Sequence, residues 1–279
     1  MGIRKVKPTT NGQRAVSYDD FKDITRNTPE KSLTFIVKRR AGRNNQGKIT
    51  VRHQGGGVKR GIRVVDYKRD KFDIPAKVAT IEYDPNRGAR IALLNYADGE
   101  KRYIIAPVDL KVGMSVISSK EQLEINPGNA MPIKFVPVGI MIYNVELEPN
   151  RGGKIARGAG TGVKIMGVEE KFAQIKMPSG EIRLIKVDCM CTIGQASNPD
   201  YSNISIGKAG RSRHMGIRPT VRGTAMNPND HPHGGGEGNQ PIGLRYPKTK
   251  WGKHALGVKT RRTKKYSSKL IIQRRKKNK

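Results

Sequence analysis

Ala79, Ile81 and Tyr83 alternate with Thr80 and Glu82, a period of two that predicts a half-buried strand. Asp84-Pro85-Asn86-Arg87-Gly88 follows with turn chemistry, because Pro fixes φ and Asn or Gly accepts a positive φ. Residues 90–96 form the next predicted strand, Ala97-Asp98-Gly99 a hairpin turn, and residues 101–105 the returning strand. Residues 172–177, the turn Pro178-Ser179-Gly180 and residues 181–187 give a second hairpin. From about Lys59 to Ile193 the chain reads as short strands with Gly/Pro turns. Convincing amphipathic helices of ordinary length are missing, and a short helix is expected only near Ser17. Asn126-Pro127-Gly128-Asn129 divides the β region into halves of roughly 65 residues, each suited to a small five- or six-stranded barrel.

The flanks lack this periodicity. Thr, Asn, Gly and basic side chains fill 1–58, and Gly/Pro/Arg/Lys runs fill 196–279. The expected organisation is therefore all-β, with an extended basic N-terminal arm (1–58), two barrels (59–126 and 127–195) and an extended C-terminal arm (196–279). Charge follows the same division. Residues 1–60 carry a net +11, 61–195 only +4 and 196–279 +17, of +32 in all. Arms this cationic resist compaction until counter-charge arrives, and nucleic acid phosphate is the expected source. With only 35% hydrophobic and 5% aromatic residues, neither arm is expected to build a core without a partner.

Several function classes drop out. The most apolar stretch, 135–145, is too short for a bilayer and is broken by Pro137 and Asn144. Met1-Gly2-Ile3-Arg4-Lys5 lacks a signal-peptide core, and Val6 breaks the myristoylation pattern, so a soluble protein without membrane contact is expected. The two cysteines, Cys189 and Cys191, share one strand face without a second ligand pair, which reads as core packing and neither zinc nor disulfide chemistry. Gly158-Ala159-Gly160-Thr161-Gly162-Val163-Lys164 misses the P-loop spacing and precedes no helix, so it reads as a turn between strands. No cofactor and no metal are expected.

Two glycine-rich stretches carry the chemistry. In residues 42–60, Arg43, Lys48, Arg52, Lys59 and Arg60 flank the run His53-Gln54-Gly55-Gly56-Gly57. Glycine lets a backbone approach phosphate closely, and Arg and Lys add charge and forked donors. The second stretch, 227–238, holds His231 and His233 before Gly234-Gly235-Gly236, and is preceded by Arg211, Arg213, Arg218 and Arg222. Asp230 and Glu237 alone make a poor metal set. Asp230 is adjacent to His231 and would point away from it in an extended chain, which weakens a general-base role. The preferred reading is a rigid loop among RNA strands, with imidazoles on bases or 2′-hydroxyls. Arg87 and Arg157 are further candidate contacts, although a lone exposed Arg is usually just solvated. The basic tail, 261–279, suits nucleic acid too.

Together these stretches resemble the two hallmark segments of large-subunit ribosomal protein two, the universal L-two family. Residues 81–87, 96–104, 207–210 and Arg222-Gly223 are similar to its bacterial and organellar branch. Asn229 and Asn239 depart from the pattern. The resemblance implies an OB-like barrel followed by an SH3-like barrel, with extensions threaded into large-subunit ribosomal RNA. It implies binding near the peptidyl transferase region, neighbouring ribosomal proteins, a bridge to the small subunit, and support of tRNA placement, in a cytoplasmic or organellar ribosome. It also implies RNA contacts at Arg87 and Arg157 and an architectural, non-catalytic part for His231.

Overall fold

The computed structural model describes residues 2–262 and 264–275; Met1, Thr263 and Lys276, Lys277, Asn278 and Lys279 of the basic tail lie outside them. The all-β expectation holds. The strands before the first large sheet are β1 (Ile3–Lys5), β2 (Ser17–Asp19), β3 (Thr34–Ile36) and β4 (Gly61–Arg63). The sheet itself uses β5 (Ala76–Glu82), β6 (Ile91–Tyr96), β7 (Lys101–Ile105) and β8 (Ser115–Val116). Then come β9 (Ala130–Pro132), β10 (Met141–Tyr143), β11 (Val163–Val168), β12 (Phe172–Lys176), β13 (Ile182–Lys186), β14 (Met190–Ile193) and β15 (Ile271–Gln273). Among the described residues the α-helical content is α1 (Ala209–His214). No described helix is long and apolar enough to cross a membrane.

Four strands make a half-barrel sheet in the order β7-β6-β5-β8, and seven make a larger antiparallel sheet, β15-β13-β12-β11-β10-β14-β9. Strand β6 is central and buried on both faces. Ile91 and Leu93 pack with Val65, Tyr103 and Tyr143, while Ala92, Leu94 and Tyr96 pack with Val78, Ile104 and Val116. In the larger sheet Ile142, Ile165, Ile175 and Ile185 converge on Met131, Cys189 and Cys191. Each such aliphatic side chain contributes about 1.5–3 kcal/mol by leaving water, so these sheets hold most of the stability. Burial pushes the Cys189 thiol up to about 12, which leaves it protonated and unreactive. Strand β15, from the basic tail, pairs with β13 and was not marked by any alternation in the sequence.

Two local expectations are corrected. Ser17 does not start a helix: β2 pairs with β1, and the Ser17 hydroxyl accepts from Ser205 N at 2.7 Å and so is not free to cap a helical turn. The period-two reading of 79–83 also fails, because a bulge between Val78 and Thr80 shifts the register. Glu82 is consequently buried and Tyr83 exposed. The Glu82 carboxylate is satisfied inside by the Tyr103 hydroxyl at 2.7 Å and the Thr80 hydroxyl at 2.8 Å. Tyr103 Oη in turn accepts from Glu30 N at 2.8 Å.

A buried arginine ties the N-terminal residues to the first sheet. Arg90, 1% exposed, donates from Nη2 to Asp19 at 2.6 Å and from Nε to Asp23 at 2.8 Å. Its guanidinium also lies 5.3 Å from the Phe21 ring centroid.

The chain packs as two units: residues 1–38, 59–211 and 269–279 form one, and 39–58 with 212–268 the other. Among the described residues, every buried apolar side chain belongs to the first unit. Among its described residues the second unit has no hydrophobic core, and it carries 17 basic against 2 acidic side chains, a net +15.

Candidate nucleic-acid interface

In the first unit the turn after β5 and the loop before β11 meet on one aromatic ring. Arg87 donates from Nε to Tyr67 Oη at 2.9 Å, and Arg157 stacks on the same ring, 4.4 Å from its centroid. These two candidates are 70 positions apart in the chain and share Tyr67, which no sequence pattern marked. They are not equivalent. Arg87 is half-buried and paired with the buried Asp84 carboxylate, so its charge is largely spent inside the fold. Arg157 is exposed. It borders a cleft of about 700 Å³ with Tyr67, Lys68 and Lys154. The acidic groups in this cleft, Asp66, Asp70 and Glu100, are engaged by Arg102. Among the described residues no carboxylate pairs with Lys154 or Arg157, which leaves two cations beside an aromatic face. Arg60 reaches the same turn, donating from Nη1 to Pro85 O at 2.8 Å. Arg211 instead covers Tyr18, 4.0 Å from its ring. Lys59 is exposed.

The second unit joins the first glycine-rich stretch to the arginine-bearing segment around 214–219 that precedes the second, more than 150 residues away in sequence. Gly55 N donates to Gly216 O at 2.9 Å, Val58 N to His214 O at 2.9 Å and Arg218 N to His53 O at 3.0 Å. The close approach is between chain segments: a Cβ on Gly57 would lie 2.9 Å from the Gly216 backbone. That gives this glycine a structural reason distinct from phosphate approach. His53 likewise serves the pairing, its Nδ1 lying 3.1 Å from Pro219 O, so the Nδ1 proton is donated there. Arg43, Arg52, His53 and Arg218 line one cleft of about 300 Å³. Lys48 sits at an adjacent exposed turn, where the Asn44 side chain accepts its backbone N–H at 2.9 Å. Arg213 and Arg222 are exposed.

The histidine loop is built inward. His233 N donates to His231 Nδ1 at 3.0 Å, and Lys248 N donates to His233 Nε2 at 2.8 Å. Each ring therefore accepts a backbone hydrogen bond on one of its nitrogens. The His231 ring lies flat against Gly223, where a Cβ would come within 2.5 Å of Cε1; only glycine fits. Partial burial, the neighbouring His233 and Arg52 hold the His231 pKa below its ordinary value. Asp230 makes no orienting bond to it, and its Nδ1 is occupied. A general-base role has no geometry here. Loop order should therefore be complete above pH about 6.5 and fall as pH drops toward the lowered His231 value, since protonation of Nδ1 competes with the His233 N–H. Ring-proton NMR checks this; titration at or above the ordinary value would contradict it.

Metal chemistry finds no better footing. The carboxylates of Asp19, Asp20 and Asp23 cluster within 4.8 Å, but Asp19 and Asp23 already bind the Arg90 guanidinium. The 158–164 segment is a turn leading directly into β11, with Thr161 N donating to Gly158 O at 3.2 Å. It offers no phosphate cradle at a helix start.

Two family descriptions match this chain in order: "Ribosomal Proteins L2, RNA binding N-terminal domain" over residues 30–118, and "Ribosomal Proteins L2, C-terminal domain" over residues 126–252. The first match contains the half-barrel sheet, the Arg87 turn and the 42–60 stretch. The second contains all but β15 of the larger sheet, together with Arg157 and the histidine loop. With both halves matched and a fold and charge distribution to suit them, this chain belongs to the ribosomal protein L2 family, whose members are structural components of the ribosome and not enzymes.

Proposed function

We propose that this L2 chain binds large-subunit ribosomal RNA near the peptidyl transferase region, and there supports subunit association and tRNA placement. One observation carries the reading most: the unit of 39–58 and 212–268 holds a net +15 and, among its described residues, no buried apolar side chain. Such a unit gains its stability from a polyanion that it wraps. In this reading the barrels of 59–126 and 127–195 anchor the chain, and the basic residues of 1–58 and 196–279 fill RNA junctions. Arg43, Lys48, Arg52, Lys59, Arg213, Arg218 and Arg222 neutralise phosphates. Arg157 stacks and pairs at the barrel surface, with Arg60 and Arg87 bracing the turn beside it. Arg211, His53, His231 and His233 shape the backbone that meets the RNA. Neighbouring ribosomal proteins and the small subunit complete the partners, in a cytoplasmic or organellar ribosome.

Competition binding tests the reading. Large-subunit RNA fragments should displace the protein from bulk duplex DNA, and it should sediment with the large subunit at high salt. Equal affinity for any duplex would instead mark a general nucleic-acid compactor. Within the site, Arg157→Ala is the clean variant, because it removes an exposed cation and leaves Asp84 paired. It should weaken RNA binding by about 1.5 kcal/mol, roughly tenfold, with unchanged thermal unfolding. Arg87→Ala strips Asp84 of its partner and should lower fold stability as well. Unchanged RNA binding in Arg157→Ala would remove the barrel-surface assignment.

A further inference from the structure

We infer that the hairpin centred on Trp251 is a stacking point for an unpaired RNA base, with the indole as its platform. The inference rests on the RNA-binding reading above and adds the chemistry of one contact. Trp251 is the sole tryptophan of the chain and is 73% exposed. An indole left in water forgoes one of the largest burial gains available to a side chain.

The exposure is built. Lys248 and His254 form an antiparallel bridge, Thr249 N donates to Lys253 O at 2.6 Å, and Gly252 N donates to Thr249 O at 2.9 Å. The Thr249 hydroxyl accepts a further bond from Lys253 N at 3.2 Å. Gly252, at φ +75°, closes a three-residue loop of the type that ends in a left-handed residue. Behind the apex, Tyr246 and His254 stack with centroids 4.5 Å apart, and Ala255 N donates to Pro247 O at 2.9 Å. The hairpin thus presents its indole from a braced base.

Charge selects the occupant. Lys250 and Lys253 are exposed beside the indole, and no Asp or Glu follows Glu237 anywhere in the sequence. An exposed indole flanked in sequence by two exposed lysines, in a segment without carboxylates, matches a nucleic acid strand, whose bases stack while its phosphates meet the ammonium groups. Stacking requires an unpaired base, because paired bases in a duplex expose only their edges.

Because Trp251 stands alone, its fluorescence reads this contact in the full-length protein. The probes are a single-stranded RNA of mixed sequence, the same sequence as a blunt duplex, and heparin, a polyanion without bases. Single-stranded RNA should quench the emission at saturation, and heparin and duplex should bind with little quenching. Trp251→Ala should weaken single-stranded RNA binding roughly 5- to 150-fold and leave heparin binding unchanged, with Trp251→Phe close to wild type. RNA bound without quenching, together with wild-type affinity in Trp251→Ala, would overturn the stacking role while the RNA-binding reading stands. A blue shift seen only with another ribosomal protein would reassign the hairpin to a protein contact and overturn it too. Failure of the wild type to bind RNA at all would defeat both readings.

Discussion

Replacing Arg90 with alanine should destabilise the RNA-free protein by about 3 kcal/mol, the low end of the cost of breaking a buried ion pair. The guanidinium is 1% exposed, and its forked donors reach Asp19 and Asp23 at 2.6 and 2.8 Å. Removing it leaves two carboxylates without their cation. Both lie nearer the surface than Arg90, so water recovers part of the loss and the low end applies. Arg90→Lys keeps the charge but cannot fork, and should fall between wild type and alanine. Denaturant unfolding measures the effect. The triple variant, Arg90→Ala with Asp19→Asn and Asp23→Asn, should recover part of the alanine loss. A change below 1 kcal/mol in Arg90→Ala would mean that the N-terminal residues are held by something else.

The second large effect is on RNA affinity. The second unit offers 17 basic side chains. If about ten of them neutralise phosphates, affinity for an RNA fragment should fall by roughly 10⁴–10⁵ between 50 and 200 mM salt. The log–log slope should then be about −7 to −9. Filter binding at several salt concentrations gives that slope directly. Arg157→Ala should flatten it by about one, as expected for the loss of a single phosphate contact. A slope shallower than about −3 would leave most of the unit's charge without a role in binding. Within the assembled subunit the dependence should be weaker, since shape and buried contacts add to charge.

What was legible in the sequence was local. Hairpins with Asp-Gly or Ser-Gly turns announced β6–β7 and β12–β13, because a turn residue and a period of two act within a dozen positions. Charge distribution separated a balanced β region from cationic flanks. What stayed hidden was set by distant partners. Nothing in Asp19 or Asp23 points to Arg90, and nothing in Tyr67 indicates that Arg87 and Arg157 will share it. A single bulge in β5 inverted the reading of Glu82 and Tyr83, since one extra residue swaps the two faces of a strand. The 42–60 stretch was read for its glycines, yet Gly57 is required by its approach to Gly216, far along the chain. For His231 the sequence already disfavours a general base, because Asp230 points away in an extended chain, but it does not show the neighbours in space, Gly223 and the His233 amide, that hold the ring.

Hydrogen exchange of the full-length protein, free and with a large-subunit RNA fragment, tests most directly whether a stable β scaffold carries a basic unit that RNA completes. Amides of β5–β7 and β10–β14 should be protected in both states. Those of 39–58 and 212–268 should exchange much faster than the sheets in the free protein and gain protection with RNA. Protection of the second unit as strong as that of the sheets without RNA, or an equal gain from bulk duplex DNA, would contradict the account.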